Sequence, residues 1–133
     1  ARIMMRVGLH AATDITGYAL LGHAYEMAER SPAGLRLFAD ALPILDGALD
    51  YARMGTVSGG TGRNREYFAD KARLPKNLSR EMNHLLFDPQ TSGGLLIAAP
   101  PAQADEMMAR FKALGQAAWV IGDAIEQAGL EVV

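Results

Sequence analysis

Thr13-Asp14-Ile15-Thr16-Gly17 puts a carboxylate between a short β-prone stretch and a glycine-marked helix start. Side chains at such strand-to-helix turns are aimed by the rigid elements on either side. A carboxylate there suits a hard cation such as Mg²⁺, and the helix start beside it suits phosphate oxygens. Its competing use is an Asx-turn that stabilises the turn alone. A second group, Gly59-Gly60-Thr61-Gly62-Arg63-Asn64, offers amides that converge on an anion and a guanidinium to pair with it. No Gly-Lys-Ser/Thr follows, so it is not a P-loop, and a flexible glycine turn is the plainer alternative. A third, Gln90-Thr91-Ser92-Gly93-Gly94, brings hydroxyls and glycine amides to the start of an apolar run. Those groups either cradle a phosphate or satisfy their own turn. Asp14 and Asp88 form an acid/base pair only if the fold brings them together. His10, His23 and His84 lack metal-ligand spacing, His23 reads as a buried or capping partner, and no Ser-His-Asp spacing stands out.

The elements that must hold these groups follow from periodicity. A helix tail runs into Gly8, and residues 9–13 read as a strand. Thr16 is the expected N-cap of a helix over 17–30, with Leu20, Leu21, Ala24, Met27 and Ala28 as its apolar face. Residues 35–39 alternate as a strand, and Pro43 is expected to open a helix that Gly55 closes. Residues 55–77, with four glycines and a mixed-charge run, are expected to form a long functional or mobile loop. A helix is predicted over 78–86, a buried strand over 95–99, a helix over 101–114, and strands over 117–121 and 130–133. Alternating strands and helices predict an α+β fold, a sheet covered by helices on at least one face.

Composition bounds the function. The chain has 133 residues, half of them hydrophobic, which suits one domain with one core. Thirteen basic against fifteen acidic residues give a net charge of −2, so no basic field exists to hold nucleic acid or an anionic membrane. Cysteine is absent, which excludes disulfides, zinc-thiolate sites and thiol nucleophiles within the chain. No apolar run is long enough to span a bilayer, and no signal peptide is visible. The start at Ala1, without an initiator Met, reads as entry midway through a helix and is expected to mark a fragment of a longer protein.

Taken together, the segment from His10 to His23, Gly59-Gly60-Thr61 with Arg63-Asn64, and the segment from Phe87 to Leu96 resemble selenophosphate synthetase (selenide, water dikinase). The resemblance runs along nearly the whole chain and matches the C-terminal half of that enzyme. The Asp-Pro-Gln-Thr-Ser-Gly-Gly string is its most specific part. Related ATP-dependent enzymes, acting on purine or thiamine precursors or in hydrogenase maturation, share a Thr-Asp-Ile-Thr-Gly-like string.

The resemblance implies a cytoplasmic enzyme that makes selenophosphate from selenide and ATP, releasing AMP and orthophosphate. It implies a homodimer with ATP and Mg²⁺ between N- and C-terminal domains. Residues 1–133 would be one C-terminal domain, the N-terminal ATP-binding domain being missing. The implied fold is the mixed, partly ferredoxin-like sheet of the aminoimidazole ribonucleotide synthetase-like superfamily. Asp14 takes the metal-binding role. Thr13, Thr16 and Gly17 support it, and Gly59, Gly60, Thr61, Arg63, Asn64, Gln90, Thr91, Ser92, Gly93 and Gly94 line the ATP and phosphate side of the cleft. No catalytic residue falls in this fragment, which alone is expected not to turn over ATP. Tyr18-Ala19 departs from the Phe-Gly common in the family. The alternatives are a relative acting on a purine or thiamine precursor, or a non-catalytic module that binds an anion or partner.

Overall fold

The computed structural model describes residues 2–9 and 11–133. In chain order the elements are α1 (Arg2–Val7), β1 (Ala11–Asp14), α2 (Ala19–Glu29), β2 (Gly34–Leu37) and a 3-10 turn (Ala39–Ala41). Then come α3 (Ala48–Arg53), α4 (Gly59–Phe68), β3 (Ala72–Arg73), α5 (Arg80–Leu86) and β4 (Leu95–Ala98). The chain closes with α6 (Pro101–Ala113), β5 (Gly122–Ile125) and β6 (Leu130–Val132). The α+β class expected from the alternation holds, but the strands divide into two sheets. One is a four-stranded mixed sheet in the order β3-β6-β2-β5, with β6 parallel to both β2 and β3 and β5 antiparallel to β2. The other is an antiparallel ribbon of β1 and β4, pairing Asp14 with Leu95.

The core lies between the four-stranded sheet and the helices. Leu21 and Ala24 of α2 meet Leu37, Leu130 and Val132 of the sheet, with Phe68, Leu86 and Phe87 completing the cluster. Alternation sets this up: Leu37, Leu130 and Val132 point inward, while Arg36 and Glu131 between them pair on the outer face. There Glu131 takes Arg36 Nε at 2.6 Å and Arg73 Nη2 at 3.1 Å. These guanidiniums hold its carboxyl below the ordinary range, against a smaller opposing effect of burial.

Several expectations need correction. Residues 55–77 are not a long loop, because α4 occupies their middle. Ser58 caps it, its Oγ accepting the Thr61 N–H at 3.3 Å. The inward stripe of α4 is Thr61, Asn64 and Phe68, so two of its three buried positions are polar and hydropathy periodicity misses it. The helix expected from Pro43 starts later, at Ala48, after Gly47 adopts φ +78°, and Leu45 is 79% exposed. The helix expected from Gly17 starts at Ala19, and Thr16 does not cap it with its side chain. Ala19 itself sits at φ +62°, a left-handed conformation that costs an L-residue roughly 1–2 kcal/mol and that glycine takes freely.

The strand expected over 117–121 lies instead at Gly122–Ile125, because pairing with β2 begins at Gly122, and Trp119 and Val120 are exposed. The strand at Leu95–Ala98 is only partly buried, being half of a two-stranded ribbon. Leu114, expected on the apolar face of α6, is exposed. The expected strand at 9–13 is described from Ala11 onward, and His10 lies outside the described residues. No helix among the described residues is long and apolar enough to cross a membrane.

Candidate functional site

Three sequence segments, 13–18, 58–64 and 87–95, meet at one place. Segments 13–18 and 87–95 are joined first by backbone. Beyond the β1–β4 pairing, Ile15 N–H donates to Gly94 O at 3.0 Å and Gly93 N–H donates to Ile15 O at 3.0 Å. Gln90 N–H donates to Thr16 O at 3.0 Å. Gly93 is required by this closeness, since a Cβ there would stand 2.6 Å from the Ile15 carbonyl oxygen. Gly94 turns the chain into β4 at φ +80°.

α4 is latched onto both. Asn64, only 8% exposed, donates from Nδ2 to Gly17 O at 2.9 Å and to Phe87 O at 3.0 Å. At the N-terminus of α4, Thr61 Oγ1 donates to Asp88 Oδ1 at 2.7 Å, and Ser58 Oγ reaches the same oxygen at 3.4 Å. Gly60 lies flat against Pro89, where a Cβ would come within 2.5 Å of Pro89 Cγ. The side chains of Thr61 and Asn64 are thus committed to internal bonds. What α4 presents outward is Gly59, partly Gly60, and exposed Arg63, so the glycines form the first turn of a helix rather than a free loop. Helix N-termini carry unpaired N–H groups and a positive dipole end, which favour an anion.

Asp14 ends β1 with its side chain exposed. Among the described residues no ion pair or side-chain hydrogen bond holds its carboxylate. Thr13 Oγ1 donates to the Asp14 backbone oxygen at 3.2 Å. Thr91 and Ser92 are exposed on the turn, and Gln90 bonds from its side chain to Asp88 O at 3.0 Å. Thr16 Oγ1 lies 3.1 Å from His23 Nε2. Among the described residues no group of three or more His, Asp or Glu is placed to hold a metal ion. An exposed, uncommitted carboxylate fits one ligand of a divalent-cation site, and the described residues fall short of a complete one.

His84 lies close by on α5, lining a cavity of about 190 Å³ with Asp88, Tyr51 and Thr56. It is 6% exposed, and its Nδ1 has no hydrogen-bond partner among the described residues. Burial, and then the Arg65 and Arg80 charges, hold its pKa below the ordinary 6.5.

Ser58 was not among the sequence candidates. Its signal was present as a Ser three residues before Thr61, the spacing of an N-cap and its N3 residue. The partnership of Asn64 with Gly17 and Phe87 spans 47 and 23 residues of sequence and left no local signal.

A family model described as AIR synthase related protein, C-terminal domain, matches residues 1–133. The chain is 42% identical over 125 residues to "Selenide, water dikinase" of Clostridium botulinum (strain Eklund 17B / Type B), covering 94% of the chain and 36% of that protein. It is 44% identical over 123 residues to the protein of the same name from Caldanaerobacter subterraneus subsp. tengcongensis, covering 92% of the chain and 36% of that protein. With the Escherichia coli O157:H7 protein of that name it shares 41% identity over 122 residues, covering 92% of the chain and 34% of that protein. The chain therefore spans about a third of the length of these relatives. Among solved structures, thiamine-monophosphate kinase from Stenotrophomonas maltophilia K279a superposes with a TM-score of 0.58 at 22% identity, over 93% of the chain and 31% of that structure. At that identity the likeness concerns the fold alone.

Proposed function

Because this chain belongs to the AIR synthase related proteins, as their C-terminal domain, we propose that it is the C-terminal domain of a two-domain selenide, water dikinase. The whole enzyme makes selenophosphate from selenide and ATP and releases AMP and orthophosphate. It is a cytoplasmic homodimer, and the site of this chain is completed by an N-terminal ATP-binding domain. The curated relatives, at 41–44% identity along almost all of this chain, support that reading over a purine or thiamine precursor enzyme.

The observation that carries the site is the convergence of the three motif segments through Asn64 and the Gly93–Ile15 contact. On this reading residues 13–17, 59–63 and 90–94 line the C-terminal side of a cleft that the N-terminal domain closes, with Asp14 at its rim. Asp14 contributes one carboxylate to a Mg²⁺ site shared with the missing domain. When bound, the ion neutralises phosphate charge, the main demand of phosphoryl transfer. Gly59, Gly60 and Arg63 offer helix N-terminal amides and a guanidinium to polyphosphate oxygens. The Gln90–Gly94 turn, with Thr91 and Ser92, forms the opposite wall. Thr61 and Asn64 shape the site from behind.

Asp14→Asn in the intact enzyme tests the reading. It keeps shape and removes charge, and selenide-dependent AMP release should fall at least about tenfold, since even residues that only support a metal ligand cost 10–100-fold. Undiminished turnover by that variant would take Asp14 out of the mechanism.

A further inference from the structure

We infer that His23 and Glu26 are positioning residues that fix the Thr16 hydroxyl, two residues along the chain from Asp14, as a hydrogen-bond acceptor. This rests on the proposed role of the Asp14 turn.

Three groups stand in a row. Thr16 Oγ1 is 3.1 Å from His23 Nε2, and His23 Nδ1 is 3.9 Å from Glu26 Oε2. His23 is 8% exposed and packs against the Tyr18 ring at 5.5 Å between centroids, so the imidazole is held by its surroundings. Glu26 lies one turn further along α2, with a side chain 38% exposed.

A neutral imidazole carries one proton, and its tautomer decides what the hydroxyl does. The carboxylate of Glu26 faces Nδ1, which favours the proton there. Nε2 is then an acceptor, and the Thr16 O–H donates to it. The Thr16 oxygen keeps its lone pairs and can only accept. Its backbone carbonyl is already occupied by the N–H groups of Ala19 and Gln90, both at 3.0 Å, so the residue is pinned and the side-chain oxygen is what it has left to offer.

Two residues from an exposed carboxylate, an oxygen that only accepts suits the water shell of a hydrated divalent cation. Mg²⁺ keeps several waters, and each of them donates. The opposite tautomer would free the Thr16 proton and aim a donor at the site, which suits a phosphate oxygen. Glu26 selects between the two.

Nitrogen NMR of the imidazoles in this protein reads the tautomer directly. His23 should show a proton on Nδ1, and Glu26→Leu should move it toward Nε2. A wild-type His23 protonated at Nε2, or no change in Glu26→Leu, overturns the inference. In the intact enzyme, His23→Gln places an acceptor oxygen where Nε2 stood and should keep its Mg²⁺ dependence. His23→Leu, which has none, should raise the Mg²⁺ concentration for half-maximal rate about tenfold while leaving kcat at saturating Mg²⁺ largely intact. Equal behaviour of the Gln and Leu variants, or a loss confined to kcat, also overturns it. Normal turnover by Asp14→Asn would instead defeat the functional reading and leave the tautomer result standing.

Discussion

Replacing Asn64 by alanine removes the one amide that donates to the carbonyls of both Gly17 and Phe87. An acceptor left buried and unpaired costs about 1–3 kcal/mol. Chemical denaturation of Asn64→Ala should therefore show a loss of about 2 kcal/mol or more, since one of the two bonds is fully buried. An unchanged midpoint would mean that α4 is not latched this way. The residue also shows how a polar side chain near the proposed cleft would serve it indirectly. Asn64 and Thr61 spend their donors on the protein, and Asp88 spends an oxygen on Thr61. Asp14, by contrast, is exposed and uncommitted. Asp88 is thereby a poor acid/base partner for Asp14, and its evident work is to hold the start of α4.

At the scale of elements, pH should loosen the fold in two stages. His84 on α5 is held below its ordinary 6.5 by burial first and by Arg65 and Arg80 next. The unfolded chain takes that proton more readily than the folded one, so its contribution is complete above 6.5 and declines as pH falls below it. Glu131 on β6 is held below its ordinary 4.5 by its bonds to Arg36 and Arg73, so its contribution is present above 4.5 and is lost at lower pH. Urea midpoints taken from neutral to acid pH should fall first below 6.5 and again below 4.5. His84→Gln should abolish the earlier decline and spare the later one. A midpoint flat from neutrality to 4.5 in the wild type would contradict the place given to His84.

At the scale of the whole molecule, burial is uneven. The core gathers around α2 and the four-stranded sheet. The ribbon of β1 and β4 has no fully buried residue, α1 has none, and α6 buries Met107 alone. A two-stranded ribbon is marginal by itself and gains from packing against further structure. The Asp14 carboxylate sits on this lightly buried side, at the end of β1, and the chain covers about a third of its relatives' length. Calorimetry of the chain with Mg-ATP should therefore show little heat, and the intact enzyme under the same conditions a clear isotherm. Tight binding by the chain alone would mark a self-contained binding module and remove the need for a second domain.

Sequence by itself determined the α+β class, most helices, the inward face of β2, and the motif segments at 13–17 and 90–94. Each depends on local facts: apolar spacing, glycines that end helices, and turn residues at fixed offsets. It failed at α4 because the inner stripe of that helix is Thr61, Asn64 and Phe68, whose polar members are buried for bonds with distant partners. It failed at Thr16 because the hydroxyl turns to His23 rather than to its own helix. Tertiary structure decided that three segments meet at one place. Hydrogen bonds and close backbone approaches between residues far apart in the chain leave no period to read, and they exist only once the core has brought β1, α4 and the turn after α5 together.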